Sequence, residues 1–297
     1  MKQFTLIIVT YNSEKDIYDC LKSVYQYNDI GDALEVIVVD NNSKNYVGMR
    51  NKLSMLYPQV SVISNTANGG YGQGNNLGIK SATAPIVAIM NPDVRLTMPT
   101  FRTMLNTFTN SNVIMCGGKQ YINTRKEGTS YFCDYHSSPF YQSLIYSFYK
   151  RYDIYKSKTM WLSGAFFAIR KVDFENIGLF DEDLFMYGEE YDIHLRIQKH
   201  FPNKSIQYLK KTKYLHLIGE RIPSEDAYYK SYSSIYQVCK KHHIAPKKVF
   251  NHQIITLKIQ YVMSKVLQLI GRPFDHNARK RINMLDAIFK RILDNHF

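Results

Sequence analysis

The sequence lacks long apolar runs and paired cysteine motifs. No stretch of its 297 residues approaches the ~20 apolar residues that a membrane-spanning helix needs, and residues 1–12 turn polar too soon for a signal peptide. The cysteines are too far apart for a CxxC zinc site or a disulfide framework: Cys20, Cys116, Cys133 and Cys239. We therefore expect a cytoplasmic protein with reduced thiols.

Two common phosphate-binding signatures are also missing. The glycine-rich stretch 68–78 contains neither the GxGxxG pattern of dinucleotide-binding proteins nor the GK[ST] of a Walker loop. It predicts a loop that enters a helix at about residue 73 and ends near residue 81. Two interpretations stay open here: the backbone N–H groups of the helix start face a phosphate, or the stretch is a structural turn.

Negative charge is scarce at one end of the chain. The net charge is +13, and residues 227–297 hold 13 Lys/Arg against 3 Asp/Glu, which leaves the first 226 residues close to neutral. A basic end on a near-neutral body indicates an anionic partner surface, either membrane headgroups or nucleic acid.

Short apolar runs alternate with stretches of helical periodicity in the first hundred residues. Each run is rich in β-branched residues and ends in a polar turn, and the runs span 4–9, 35–39, 60–64 and 86–90. Buried parallel strands have this uninterrupted apolar pattern, so we predict an α/β fold. Ligands of such sheets bind at the carboxyl ends of the strands, where Thr10, Asp40 and Asp93 fall.

The second half of the chain continues the pattern less regularly. We predict a strand at 164–170, a short helix at 171–177, an acidic segment at 180–192 that runs into a helix, and a strand at 206–215 that delivers His216. The segment 121–160 is heavy in aromatic residues. Packing on the core is the favoured interpretation, and a sugar platform or a membrane-facing belt is the alternative.

Four side chains in this arrangement point to metal-assisted chemistry. Asp93, His216 and two oxygens of a bound diphosphate would suit Mg²⁺ or Mn²⁺. One carboxylate of the pair Glu189 and Glu190 could then take the proton from an incoming hydroxyl. Taken singly, each of these side chains is better interpreted as a solvated or capping group.

Six motifs in order resemble glycosyltransferase family 2, most closely its rhamnosyltransferase-like branch. The motifs are IVTYN (8–12), VVDNNS (38–43), NGGYGQGNNLG (68–78), NPDV (91–94), SGAFFAIR (163–170) and FDEDLFMYGEEYDIHLR (180–196). The resemblance runs from about residue 3 to residue 220. It implies a GT-A fold, with a mostly parallel central sheet. We predict a catalytic domain at 1–222 and a basic helical C-terminal region at 223–297.

The resemblance also implies roles for individual positions. The nucleotide-sugar side would comprise Thr10, Tyr11, Asp40, Asn68, Asn76, Asn91 and Asp93. The metal, Mn²⁺ or Mg²⁺, would be held by Asp93 and His216. The acceptor side would comprise Trp161, Gly164 and Ala165.

The catalytic base is the one departure from the family pattern. Glu190 matches the base position, where the family usually has Asp, so the carboxylate sits one methylene further out. Glu189 and Asp192 stay open as alternatives for the base. For Asp192 we favour an i,i+4 pair with Arg196 on one helix.

The implied activity is that of a hexosyltransferase with inversion in a single displacement. The donor would be a UDP- or dTDP-sugar such as dTDP-rhamnose. The acceptor would be a glycan or a polyprenyl-pyrophosphate-linked saccharide in surface polysaccharide synthesis, such as capsule or O-antigen. A sugar nucleotidyltransferase is the first alternative, but residues 8–13 lack its basic phosphate-gripping signature. A nucleic-acid-binding protein is the second, but its basic region would interleave aromatics rather than form apolar helices.

The basic C-terminal region predicts three helices, at 227–242, 245–270 and 277–294. Lys247, Lys258 and Lys265 line one side of the middle helix between apolar strips. Lysines rising between apolar strips suit a helix on an anionic membrane surface, which would place the protein peripherally on the inner face of the cytoplasmic membrane. A packed subdomain or a homo-oligomer contact is the alternative, and both stay open.

Overall fold

The computed structural model describes residues 1–217, 224–269, 274 and 277–295, and the chain divides into two compact units. The first contains Met1–Phe132 and Leu162–Arg221, and the second contains Cys133–Trp161 and Ile222–Phe297. The domain boundary predicted between 222 and 223 lies outside the described residues. That boundary assigned 133–161 to the first domain, whereas the structure groups this segment with the C-terminal helices.

Strands and α-helices alternate along much of the chain. The strands of the described residues are β1 (Phe4–Thr10), β2 (Leu34–Asp40), β3 (Ser61–Ser64), β4 (Ile86–Met90), β5 (Val94–Leu96), β6 (Val113–Tyr121), β7 (Tyr131–Cys133), β8 (Met160–Leu162), β9 (Phe166–Arg170) and β10 (Ser205–His216). The helices are α1 (Glu14–Gln26), α2 (Tyr46–Leu56), α3 (Gly70–Ser81), α4 (Phe101–Thr107), α5 (Tyr146–Arg151), α6 (Lys171–Asn176), α7 (Glu189–His200), α8 (Glu225–Lys241), α9 (Pro246–Gln268) and α10 (Ala278–Asp294).

The central sheet has eight strands in the order β3-β2-β1-β4-β9-β6-β10-β5. Strands β3, β2, β1 and β4 are mutually parallel, and β6 is parallel to β10. β9 runs antiparallel between β4 and β6, and β5 runs antiparallel to β10 at the edge. The predicted α/β class with a mostly parallel sheet is therefore confirmed.

The interior of this sheet explains the apolar runs in the sequence. Successive residues of β1, such as Leu6, Ile7 and Ile8, are all fully buried, because both faces of the strand are covered. The polar turns then follow the strands at one edge. The predicted elements agree with the structure to within a few residues. Helix α3, for example, begins at Gly70, three residues before the predicted start near residue 73.

The second unit consists mainly of α8, α9 and α10. Phe250 of α9 stacks on Phe289 of α10 with ring centroids 4.4 Å apart. The segment 133–161 joins this unit through α9, because the Ser143 hydroxyl donates to the Thr256 carbonyl at 3.3 Å. Its three C-terminal helices confirm the predicted helical extension, although Ile270, the predicted last residue of the middle helix, lies outside the described residues. In the described part of the chain, no helix has both the length and the hydrophobicity to cross a membrane.

Candidate active site

The carboxyl ends of β1 and β2 bring Thr10 and Asp40 together as register partners. The Thr10 hydroxyl donates to Asp40 Oδ1 at 3.2 Å, and the Ser43 amide donates to Asp40 Oδ2 at 2.8 Å. Thr10 and Asp40 are fully buried. The Asp40 carboxylate therefore orders the turn after β2, and neither of its oxygens is open to solvent.

Two other residues predicted on the nucleotide side are more accessible. Tyr11 follows β1 directly, and half of its surface is exposed. Asn68 is half-buried, and its Oδ1 accepts a hydrogen bond from the Gly70 amide at 3.1 Å. Tyr11 thus presents an apolar ring face that a planar base could cover, whereas Asn68 fixes the start of α3.

Asp93 and His216 meet where β4 ends and β10 ends. Strand β10 pairs with β5 so that His216 lies opposite Val94, and the distance from His216 Nε2 to Asp93 Oδ1 is 3.3 Å. Asn91 Nδ2 lies 3.5 Å from the same ring nitrogen. Burial would raise the pKa of Asp93, but the hydrogen bond and charge of His216 outweigh it and lower that pKa.

This pair has the donor chemistry of an incomplete metal site. Two ligands at neighbouring positions of an octahedral ion lie about 3 Å apart when the bonds are about 2.1 Å long, close to the spacing of Asp93 Oδ1 and His216 Nε2. Among the described residues, no group of three His, Cys, Asp or Glu side chains could hold an ion alone. An ion here would need further oxygen ligands, as predicted from the sequence.

The turn before β9 connects this pair to the acidic residues at the start of α7. The Asn91 amide donates to the Ala165 carbonyl at 2.9 Å, so the turn is held against the end of β4. On the same turn, Gly164 is packed so tightly by Glu190 that a Cβ atom there would overlap the carboxylate oxygen Oε1. Glu190 contacts this turn directly, and the Asp93–His216 pair is linked to it through Asn91.

The two neighbouring glutamates differ in accessibility. Glu190 is half-buried, whereas Glu189 is 2% exposed and its Oε1 finds no hydrogen-bond partner among the described residues. Burial raises the pKa of Glu190, and burial together with the charge of Glu190 raises the pKa of Glu189. Of the two, Glu190 keeps the larger part of its surface open to solvent.

Tyr71 is a site residue to which the sequence analysis assigned no role. Its hydroxyl donates to the Gly164 carbonyl at 2.9 Å, and its amide donates to the Phe185 carbonyl at 3.0 Å. Burial and the charges of Glu190 and Glu189 raise the pKa of Tyr71, so the phenol keeps its proton and can donate. The tyrosine lies within a quoted motif, but its partners are far away along the chain.

The glycines of α3 allow this close approach. Gly70 has a φ of +86°, and a Cβ atom there would overlap the Phe185 carbonyl oxygen. The glycine-rich stretch therefore packs α3 against the acidic segment 180–187. Of the two interpretations left open, the structure supports a structural use of these glycines.

Asn76 bonds to the segment that precedes α7, and its contact with the nucleotide stays a prediction. Its Nδ2 donates to the Phe180 carbonyl at 3.0 Å and to Glu182 Oε1 at 2.8 Å, and its Oδ1 accepts from the Phe180 amide at 3.0 Å. The side chain is 3% exposed. The amide therefore anchors the segment that leads into α7, because its oxygen and nitrogen are both engaged within the protein.

Replacing Asn76 with Ala should therefore destabilise the protein. The buried amide and carbonyl of Phe180 would both lose their partner, and we expect a loss of about 3 kcal/mol in the free energy of unfolding. Urea unfolding would measure it. Asn51→Ala, at an exposed position of α2, is the matched control, and an equal loss in both variants would contradict the anchoring role.

The residues predicted on the acceptor side are mostly covered. Ala165 is 3% exposed in the first unit. Trp161 is 7% exposed and belongs to the second unit, where its ring lies 6.0 Å from that of Tyr135. Both side chains are thus largely covered, and their place on the acceptor side stays a prediction. Gly164 contributes through its contact with Glu190.

The alternative base Asp192 is engaged elsewhere. Arg196 Nε donates to Asp192 Oδ2 at 2.8 Å, and Arg196 also donates to the Ile177 carbonyl at 2.6 Å. Asp192 is fully buried. The predicted i,i+4 pair is confirmed, and it removes Asp192 from consideration as the base.

Comparison with known proteins decides the family. The model of the family described as "Glycosyl transferase family 2" matches residues 5–178. The chain belongs to glycosyltransferase family 2. It is therefore a glycosyltransferase, as the six motifs predicted, and the match favours this activity over a nucleotidyltransferase or a nucleic-acid-binding protein.

Named relatives agree with this assignment. Agl10 of Haloferax volcanii, a hexosyltransferase of low-salt glycan biosynthesis, is 24% identical over 279 residues, which cover 90% of this chain and 82% of Agl10. TarS of Staphylococcus aureus, a poly(ribitol-phosphate) β-N-acetylglucosaminyltransferase, is 33% identical over 98 residues, but these cover only 16% of TarS.

Solved structures share the fold of this family 2 member. The mannosyltransferase PcManGT of Pyrobaculum calidifontis, in complex with GDP-Man and Mn²⁺, has a TM-score of 0.65 at 16% identity and covers 98% of this chain and 86% of its own. TarS of Staphylococcus aureus, in complex with UDP, has a TM-score of 0.54 at 19% identity and covers 98% and 80%. The predicted GT-A fold is confirmed.

Proposed function

We propose that this family 2 enzyme transfers a hexose from a nucleoside diphosphate sugar to an acceptor hydroxyl with inversion. The observation that carries the proposal is that Glu190 and the Asp93–His216 pair both lie next to the turn at Gly164 and Ala165, Glu190 directly and the pair through Asn91. The partly exposed Glu190 can accept a proton. The carboxylate and imidazole of the pair can serve a metal–diphosphate complex.

Each residue of the site has a different proposed role. Glu190 holds the position of the base and would take the proton from the attacking hydroxyl. Asp93 and His216 would hold a divalent ion, Mn²⁺ or Mg²⁺, which when bound neutralises charge on the leaving diphosphate. Tyr71 and Asn76 keep the Glu190 segment and the Gly164 turn in register. One base without a separate nucleophile suits a one-step displacement, which inverts the anomeric centre.

For the donor we propose a UDP- or dTDP-sugar, with dTDP-rhamnose as one candidate. Of the two solved complexes named above, PcManGT contains GDP-Man and TarS contains UDP, so the nucleobase of the donor has to be determined by experiment. For the acceptor we propose a glycan or a polyprenyl-pyrophosphate-linked saccharide used in surface polysaccharides. The assignment of Agl10 to glycan biosynthesis supports this class.

Donor binding with and without metal tests the proposal. Calorimetric titration of UDP-, dTDP- and GDP-sugars should identify one donor whose binding requires Mn²⁺ or Mg²⁺. In Asp93→Asn we expect that affinity to fall at least about tenfold, because even outer partners of a metal ligand usually contribute that much.

The matched control is Asp32→Asn, which neutralises an exposed carboxylate and should leave binding unchanged. If a donor binds tightly without metal and its affinity is unchanged in Asp93→Asn, the proposed metal role is refuted but the transfer reaction is not. Failure of every nucleotide sugar to bind would refute the proposed transfer reaction.

A further inference from the structure

Exposed apolar and basic side chains form a stripe along α9. Its members lie three or four residues apart, with Lys265 and Val266 as neighbours, so they share one side of the helix: Ile255, Lys258, Val262, Lys265, Val266 and Leu269, which directly follows α9. The apolar members are unusually open, at 46% for Ile255, 58% for Val262, 59% for Val266 and 86% for Leu269. We call this set the α9 stripe.

The other side of α9 accounts for the packing of the helix. Val249, Phe250, Ile254 and Thr256 are buried within the second unit, and Phe250 stacks on Phe289 as described. The apolar residues of the α9 stripe are thus additional to those that the unit uses for its own core.

A second exposed apolar row lies in the same unit. Phe140, Leu144, Phe148 and Tyr152 are spaced four residues apart along α5 and the π-helical turn before it, and all four are exposed. This segment is attached to α9, since Gln253 Nε2 donates to Gln142 Oε1 at 2.8 Å. Neighbouring helices of one unit therefore both present apolar side chains to solvent.

The positive charge of the second unit indicates which kind of partner could bind the α9 stripe. α9 contains no Asp or Glu, and the second unit as a whole has a net charge of about +10. A second copy of the chain would bring like charge against like charge, which opposes association. A nucleic acid would leave the four open apolar residues without favourable contacts. An anionic bilayer offers both negative headgroups and an acyl region.

We propose that the α9 stripe binds the surface of an anionic lipid bilayer. Val262, Val266 and Leu269 enter the boundary between headgroups and acyl chains, while Lys258 and Lys265 extend to the headgroups. Lys265 already lies along an aromatic ring, with its Nζ 4.8 Å from the centroid of Tyr261. The inference stands apart from the transfer reaction, because none of these residues belongs to the proposed active site.

Vesicle flotation with the full-length protein tests the inference. We expect binding to vesicles that contain phosphatidylglycerol, little binding to pure phosphatidylcholine, and weaker binding at high salt. Lys258→Glu with Lys265→Glu should weaken vesicle affinity by at least about thirtyfold, given the usual contribution of a lysine near an anionic surface. Val262→Glu with Val266→Glu should do the same.

Two matched controls distinguish an effect of the α9 stripe from an effect of the total charge or of exposed valines elsewhere. Arg279→Glu with Lys280→Glu makes the same charge change at exposed positions of α10, and Val47→Glu with Val172→Glu changes exposed valines of the first unit. Both pairs should keep most of the binding. Equal losses in stripe and control variants, or no binding to anionic vesicles, would overturn the inference.

Light scattering of the same proteins tests whether the α9 stripe is instead a contact between two copies of the chain. If the wild type is a dimer in solution and Val262→Glu with Val266→Glu makes it a monomer, the stripe is a contact between copies and the inference is overturned. Donor binding measured on every variant should be unchanged. Loss of vesicle binding with intact donor binding would therefore leave the proposed transfer reaction untouched.

Discussion

Glu190→Gln should reduce the rate of sugar transfer by about 10²–10⁴-fold, which is the usual contribution of a positioned general base. The amide has almost the same shape as the carboxylate but cannot accept a proton from the acceptor. Donor binding should be unchanged, since Asp93 and His216 are untouched. The measurement is kcat for transfer, with donor affinity measured separately.

Glu189→Gln is the matched control because it makes the same chemical change one residue earlier. Glu189 is nearly inaccessible, and its pKa is raised by burial and by the charge of Glu190, so a neutral amide should be tolerated at that position. We expect a much smaller loss of rate. A larger loss in Glu189→Gln than in Glu190→Gln would assign the base to Glu189.

The pH profile provides a second readout for Glu190. A base must be deprotonated to act, and burial raises the pKa of this carboxyl above the usual value of a glutamate. We therefore expect kcat/KM to rise with pH and to level off above that raised pKa. In Glu190→Gln the same limb should disappear from the residual activity.

Gly164→Ala should abolish most of the transfer activity while leaving the protein folded. The new methyl group would occupy the position of Glu190 Oε1 and force the carboxylate aside. A displacement of about 1 Å can cost about 10²-fold in rate. Because the displaced atom is the end of a flexible side chain, we expect a melting temperature close to that of the wild type.

A control and a rescue make this prediction specific. Gly48→Ala in α2 also places a methyl group against the end of a flexible side chain, that of Asn45, and should keep full activity. Glu190→Asp in the Gly164→Ala background shortens the base by one methylene and should recover part of the rate. If the double variant is no faster than Gly164→Ala, the loss does not arise from crowding at the carboxylate.

The sequence predicts the strands and their polar ends well because both have local causes. Apolar runs reveal the buried strands, and the turn residues follow directly. The grouping of Asp93 with His216 was predicted from their places at strand ends, from the ligands a divalent ion prefers and from the family resemblance, since the two lie far apart along the chain. Their hydrogen-bonding distance is a property of the pairing between β5 and β10, which no local pattern contains.

Other parts of the site depended on contacts that the sequence does not encode locally. The hydrogen bonds of Asn76 and Tyr71 reach about a hundred residues along the chain, so their positioning roles were not predicted. The difference between Glu189 and Glu190 depends on which side of α7 faces the core. The grouping of 133–161 with the C-terminal helices likewise follows from contacts with α9, although chain order places this segment within the first domain.

The strand order of the sheet has a consequence for synthesis of the protein. Asn91 and His216 approach each other although 125 residues separate them, and β10 pairs with strands made much earlier. A ribosome therefore has to release more than two thirds of the chain before the histidine can join the aspartate. Pairings over such separations also close slowly. Nascent chains that stop short of β10 would contain most of the sheet but would lack the Asp93–His216 pair that we propose for the metal.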